Sequence, residues 1–324
     1  MQAIPQIPDA TQGLTILHAV VLGLVEGITE YLPVSSTGHL ILASSLMGLK
    51  ERVPERALED FEIVIQGGAI LAVVGLYWPS MVRMLKGIVG KDNGGFALFL
   101  NLCIAFFPSA LLGKLFEDQI HEYLFRPMWV VAALLLGGFF MIVVAAWQSG
   151  RIAPVRSSLS DKTVFDVTPR EALFIGLLQC LALWPGTSRA LMTITGGLFC
   201  GLKPRRAAEF SFLLGLPTLT AATLYKLLKN LAHSHETGEP NLFQQLGVGS
   251  CLLACLVAAV SAAVAVRWLV GFVSRGGLAW LGWYRVGVCV LLVILLERGV
   301  VRFGPDRTPD LNQESREVLP LHQP

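Results

Sequence analysis

Residues 26–40 read Glu26-Gly27-Ile28-Thr29-Glu30-Tyr31-Leu32-Pro33-Val34-Ser35-Ser36-Thr37-Gly38-His39-Leu40, and residues 179–193 read Gln179-Cys180-Leu181-Ala182-Leu183-Trp184-Pro185-Gly186-Thr187-Ser188-Arg189-Ala190-Leu191-Met192-Thr193. In both, a proline ends an apolar helical run, because it cannot donate the next helical hydrogen bond. Hydroxyls follow the break. The likeness extends outward on both sides. Gly23-Leu24-Val25-Glu26 stands before the first break as Gly176-Leu177-Leu178-Gln179 stands before the second, and Asp60-Phe61-Glu62-Ile63-Val64-Ile65 resembles Glu209-Phe210-Ser211-Phe212-Leu213-Leu214. Pro33 to Pro185 is a step of 152 residues and Phe61 to Phe210 one of 149. Two matches at nearly one offset point to a half written twice.

The sequence around the breaks is apolar. Of 324 residues, 54% are hydrophobic and 15% charged, against about a quarter charged in a soluble domain. Phe96–Leu112, Met128–Trp147, Val248–Val270 and Trp283–Leu296 approach the ~20 apolar residues that span ~30 Å of hydrocarbon. Backbone groups unsatisfied by lipid force such segments into helices. The expected fold is therefore an all-α integral membrane protein. Three spans follow the first break (about 62–78, 97–115 and 128–147) and three the second (about 208–228, 246–270 and 281–299). An odd number of crossings between the breaks opposes them. The expectation is a polytopic bundle of two inverted-topology repeats, each a re-entrant helix–loop–helix plus three transmembrane helices, with a site near the midplane. The repeats are 1–150, with its re-entrant segment at about 14–48, and 151–302, with its own at about 170–200. Residues 303–324 read as a polar, disordered tail. Met1–Gly13 lack Lys and Arg, so no cleaved signal peptide is expected.

Loop charge sets the orientation. The loops near 79–92 (Arg83, Lys86, Lys91), 148–170 (Arg151, Arg156, Lys162, Arg170), 202–207 (Lys203, Arg205, Arg206) and 271–285 (Arg275, Arg285) are basic. Those near 116–127 and 229–245 are not. The positive-inside rule places the basic set in the cytoplasm, so the first break dips in from outside and the second from inside. The loop at 46–60 fits less well, since it mixes Lys50, Arg52 and Arg56 with Glu51, Glu55, Glu59 and Asp60. The net charge of +2 argues neither way on nucleic acid, and with no basic aromatic stripe no nucleic-acid partner is expected. The six cysteines lie in apolar segments and read as small buried hydrophobes.

Glu26 and Glu30 are four apart and share a helix face. Paired carboxylates at membrane depth are costly and point to function. A divalent cation, Mg²⁺ or Ca²⁺, would relieve them. Ser35, Ser36 and Thr37 supply hydroxyls beside the free amides of a new helix, which suit an anion. His39 lies within reach as a base or acid. In the second break, Arg189 offers a planar fork to phosphate oxygens; the alternative is an ion pair with Glu26 or Glu30. Ser188 and Thr193 flank it. Carboxylates, hydroxyls, His, Arg and two helix N-termini together suit phosphoryl transfer. The attacking species stays open between Ser36, His39 and a metal-bound water. The membrane setting points to a lipid substrate.

Glu26–Leu40 together with Pro185–Arg189 resembles the undecaprenyl-diphosphate phosphatase, or bacitracin-resistance, family. The likeness continues through Asp60–Ala72, Glu209–Pro217 and Trp283-Tyr284-Arg285. The resemblance implies hydrolysis of undecaprenyl diphosphate to the monophosphate carrier lipid, a divalent cation, and a multi-pass protein of the bacterial cytoplasmic membrane with its site facing outward. It implies Glu26 and Glu30 as the metal-linked acids, Ser36 as leading nucleophile and His39 as base or acid. Ser188, Arg189 and Thr193 would hold the diphosphate. A homodimer is compatible with it. Two departures stand out: Ala190-Leu191-Met192-Thr193 where the family usually has Ser-Gly-Ala-Thr, and Gln66-Gly67-Gly68 where it has Gln-Leu-Gly. A polyprenyl-phosphate flippase or transporter using the same inverted-repeat site is the competing expectation.

Overall fold

The computed structural model describes residues 14–49, 53, 55–152 and 161–301. The expected tail at 303–324, residues 1–13, and Lys50, Arg52 and Arg156 lie outside the described residues. The described chain is helical and apolar, a multi-pass membrane protein. Its order is α1 (Ile16–Thr29), α2 (Ser36–Leu46), α3 (Glu55–Leu76), α4 (Trp78–Ile88), α5 (Asn93–Leu115), α6 (Glu117–Gln119), α7 (Pro127–Gln148), α8 (Pro169–Cys180), α9 (Arg189–Phe199), α10 (Pro204–Thr237), α11 (Leu242–Leu246), α12 (Val248–Ser274) and α13 (Leu278–Glu297).

Length decides which helices cross. At 1.5 Å per residue, the 14 residues of α1 reach roughly 21 Å and the 11 of α2 less, short of the ~30 Å hydrocarbon. The chain turns back between them: Leu14 and Leu22 of the first arm share one buried cluster with Leu40 and Leu49 of the second. The second hairpin, α8–α9, also returns to its origin, with Cys200 Sγ 3.9 Å from the Glu171 carbonyl. Five helices are long and apolar enough to span: α5, α7, α10, α12 and α13. A sixth unit is α3, which bends by 81° into α4.

That bend corrects one expectation. Residues 79–92 read as a loop, yet Trp78–Ile88 is a helix with a proline in its first turn, where the missing N–H costs nothing. Its apolar Trp78, Leu85 and Ile88 are exposed. Arg83 pairs with Asp92 at 2.8 Å and lies 3.6 Å over the Phe165 ring.

The hairpins are exchanged between the halves. α1 packs on α12, α8 packs on α5, and α7 pairs with α13. Glycines make the first two approaches possible. A Cβ on Gly23 would lie 2.6 Å from the Ala254 carbonyl oxygen, and one on Gly176 would lie 2.4 Å from that of Ala105. Ala105 to Ala254 is again a step of 149 residues. This reciprocity is consistent with inverted repeats.

Candidate active site

The two hairpin turns meet inside the bundle. Among the described residues, non-glycine backbone with positive φ occurs at Ser35 (73°) and Ser188 (79°), the residues that open α2 and α9. This left-handed geometry is strained for a side-chain-bearing residue, and it recurs at a step of 153. The structural equivalents are therefore Ser35 and Ser188. Aligning the sequences on Pro33 and Pro185 slips by one residue, because the second turn holds one more residue between proline and helix.

A cavity of about 230 Å³ lies where the helices start. Glu30, Ser35, Ser36, Thr37, Ser188 and Arg189 all line it, six of the residues expected from sequence. The Ser36 hydroxyl donates to Glu30 Oε2 at 2.8 Å. Arg189 Nη2 donates to Glu30 Oε1 at 3.3 Å, so the anticipated ion pair forms, while Nη1 donates to the Ser211 carbonyl at 3.0 Å. Arg189 Nε is buried with no partner. That N–H is a donor suited to a phosphate oxygen. Ser35 makes no side-chain cap to α2, which leaves the first amides of that helix to an anion. Gln66, Ser109, Gln179 and Thr218 complete the polar lining. They escaped the sequence reading as site residues, although Gln179 occupies the position of Glu26 in the repeat.

Three expected residues stand outside this cavity. Thr193 is fully buried behind it, donating to the Arg189 carbonyl at 2.9 Å and bonded to the Ser211 hydroxyl at 2.6 Å. It steadies Arg189 instead of lining the pocket. His39 has both ring nitrogens engaged. Its Nδ1 lies 2.7 Å from the Ser35 carbonyl, which can only accept, so Nδ1 carries the hydrogen. In the neutral ring Nε2 then accepts from the Tyr284 hydroxyl at 2.8 Å. Glu26 is 1% exposed, and its Oε2 is unpartnered. The charges acting on it are those of Glu30, Glu62 and Arg189.

Arg285 is corrected outright. It was counted among loop charges, but it sits within α13, fully buried. The departures after Arg189 prove harmless to the lining. Ala190, Leu191 and Met192 are buried in the core and none faces the cavity. Gly67 has open space where a Cβ would be, whereas one on Gly68 would lie 2.2 Å from the Cys255 carbonyl.

For a hard divalent cation the chain offers Glu26, with one unpaired carboxylate oxygen, and Glu30. Among the described residues no group of three His, Cys, Asp or Glu could hold a metal ion. Glu26 stands outside the cavity and both Glu30 oxygens are engaged, by Ser36 and Arg189, so an ion held there would take most of its oxygens from a diphosphate and water, as Mg²⁺ commonly does.

On the far side of the first turn runs an apolar groove of about 890 Å³. Thr29, Leu32 and Val34 face it, alternating with the cavity-lining Glu30 and Ser35; Val260, Val264 and Tyr284 form its other wall.

Residues 19–291 match the family described as bacitracin resistance protein BacA. A protein of Neisseria gonorrhoeae (strain NCCP11945) named undecaprenyl-diphosphatase is 42% identical over 282 residues, 87% of this chain and 96% of its own length. Proteins of the same name from Deinococcus radiodurans (39% over 289 residues, 89% and 98%) and Bdellovibrio bacteriovorus (40% over 287 residues, 88% and 98%) are similar to the same extent.

Proposed function

This chain belongs to the bacitracin resistance protein BacA family, and from that premise we propose that it hydrolyses undecaprenyl diphosphate to undecaprenyl phosphate and inorganic phosphate in the cavity between its two turns. The observation that carries the reading is the Glu30 carboxylate, which joins the Ser36 hydroxyl at 2.8 Å to the Arg189 guanidinium at 3.3 Å.

The chemistry follows from those atoms. Arg189 and the opening amides of α2 and α9 hold the terminal phosphate and the charge that grows on it in the transition state. Ser36 Oγ attacks the terminal phosphorus as Glu30 takes its proton. The bond from phosphorus to the bridging oxygen breaks, and the lipid monophosphate leaves. Water then attacks the Ser36 phosphoester and releases inorganic phosphate, restoring the hydroxyl. Bound beside Glu26 and Glu30, Mg²⁺ or Ca²⁺ would neutralise phosphate charge. His39 acts on Ser36 at one remove, by fixing the Ser35 carbonyl.

The apolar groove offers the isoprenoid chain a seat one residue away from the headgroup cavity. The two turns meet inside the bundle, as inverted halves would bring them. The basic residues Arg83, Lys86, Lys203, Arg205, Arg206 and Arg275 cluster at the helix ends assigned to the cytoplasm, which supports the inner membrane and an outward-facing site. A flippase would need the phosphate grip but not the Ser36–Glu30 pair, so transport is not favoured.

The test is phosphate release from undecaprenyl diphosphate by purified protein in detergent, with Mg²⁺ or Ca²⁺ and then with chelator. Release that requires the cation and stops in Arg189→Ala is expected. Lipid binding without release under either cation would overturn the reading.

A further inference from the structure

We propose that Arg285 is the positioning residue that locks the two membrane-inserted turns against one another, so that their helix-opening amides converge on the substrate's phosphates. This rests on the phosphatase reading of the cavity. Arg285 is 0% exposed, and each of its five N–H donors has a carbonyl. Nε donates to Leu134 O at 3.2 Å and Nη2 to Ala133 O at 3.2 Å, both on α7. Nη1 donates to Pro33 O at 3.1 Å and to Thr187 O at 3.0 Å, and Nη2 also to Gly186 O at 2.7 Å. One side chain thus holds the proline of the first turn, two residues of the second, and α7 behind them.

Only a guanidinium fits this arrangement. Lysine has three donors on a flexible stem, against five in a rigid fork. The five partners are neutral carbonyls, so the hydrogen bonds are satisfied while the charge stays uncancelled by them. A buried cation behind the turns adds to the positive ends of α2 and α9 and favours an anionic ligand in front. The bonds also orient the peptides. In a trans peptide the N–H points opposite the C=O. Drawing the Thr187 carbonyl to Arg285 therefore turns the Ser188 N–H away from it, at a residue that lines the cavity. Space for the fork is provided by Gly137, where a Cβ would stand 2.2 Å from Nη2.

The guanidinium touches no reacting atom, so its loss should act on geometry. A misplacement of about 1 Å can cost roughly 100-fold in rate. Arg285→Lys, Arg285→Met and Gly137→Ala would be purified beside wild type and assayed for kcat, KM and melting temperature. Gly137→Ala keeps the arginine but pushes its fork aside, so it serves if Arg285→Met does not fold. Expected is a fall in kcat of about 100-fold for Arg285→Lys and Gly137→Ala, with KM and melting temperature close to wild type. Near-wild-type kcat in Arg285→Lys or Gly137→Ala would overturn the proposal. So would losses of kcat that merely track the unfolded fraction. An inactive wild type in the same assay would instead overturn the phosphatase reading.

Discussion

Ser36 donates its hydroxyl hydrogen to Glu30 across 2.8 Å, six residues back along the chain and on the other side of a proline turn. A serine held this way has its proton acceptor in place before substrate arrives. Ser36→Ala removes the attacking oxygen, and Glu30→Gln removes the acceptor while preserving shape. Proton transfer by a positioned group is worth typically 10²–10⁴-fold. Turnover should fall by about 10³-fold in each, with lipid binding retained. Rapid quenching with substrate labelled in its terminal phosphate should trap label on wild type and none on Ser36→Ala. Equal label on both would move the attack to water.

Arg189 is crowded on purpose. A Cβ on Gly215 would lie 2.9 Å from its Nη1, so Gly215→Ala should displace the guanidinium from Glu30. Alanine in place of glycine within a helix is otherwise stabilising by roughly 0.5–1 kcal/mol. The expected result is a rise in KM and a fall in turnover without loss of melting temperature, and Arg189→Lys should be worse because it lacks the fork. Unchanged kinetics in Gly215→Ala would show that Arg189 has room to adapt.

The groove can be filled from α12. Val260→Trp and Val264→Trp substitute exposed side chains, so the fold should tolerate them. A chain seated in the groove gains about 0.8 kcal/mol per buried CH₂. Both variants should raise KM for the undecaprenyl substrate and leave it unchanged for a short prenyl diphosphate. Equal effects on long and short substrates would place the chain elsewhere.

Much of the architecture could be read from residues in order, and the reasons are local. Prolines at 33 and 185 and apolar windows of membrane length each act within a few residues, so breaks and spans were legible. Six residues that line the cavity were legible, Glu30 and Arg189 because charge is costly at membrane depth and the four hydroxyls because they follow a proline break. What escaped depends on distant partners. Nothing near Arg285 announces that its acceptors lie at 33, 133, 134, 186 and 187. Its neighbours Arg275 and Gly276 made it look like one more loop charge. Ser109 and Thr218 sit in apolar helices and resemble ordinary membrane hydroxyls until the bundle brings them to the cavity. The bend at Tyr77 escaped because Trp78–Ile88 carries enough charge to pass for a loop.

Outside the hydrocarbon, Glu117 joins the end of α5 to α10. Lys114 donates to it at 3.1 Å, Tyr225 at 3.0 Å and Lys229 at 3.3 Å. Partial burial alone pushes its carboxyl up, but these donors outweigh it and hold it at about 2, below the ordinary 4.5. A depressed acid stabilises the fold above its unfolded pKa and loses that contribution as pH falls through the folded value. The melting-temperature difference between wild type and Glu117→Gln should be constant above pH 5 and should shrink only as pH falls from about 4.5 towards about 2. A difference already gone at pH 5 would mean the cluster is not formed in solution.

The exchange of hairpins governs when this protein becomes an enzyme. α1 carries Glu26 and leads to Ser36, yet the helix it leans on is α12, more than two hundred residues later in the chain. A ribosome therefore delivers the acid and the nucleophile long before their main buttress, and in the interval the first hairpin has only α3, through Phe61 and Ile65, to lean on. Contacts so far apart in sequence form late. Every truncated or stalled product, however much of the first half it contains, is born unable to cleave the lipid, and activity begins only when the last two spans have been inserted.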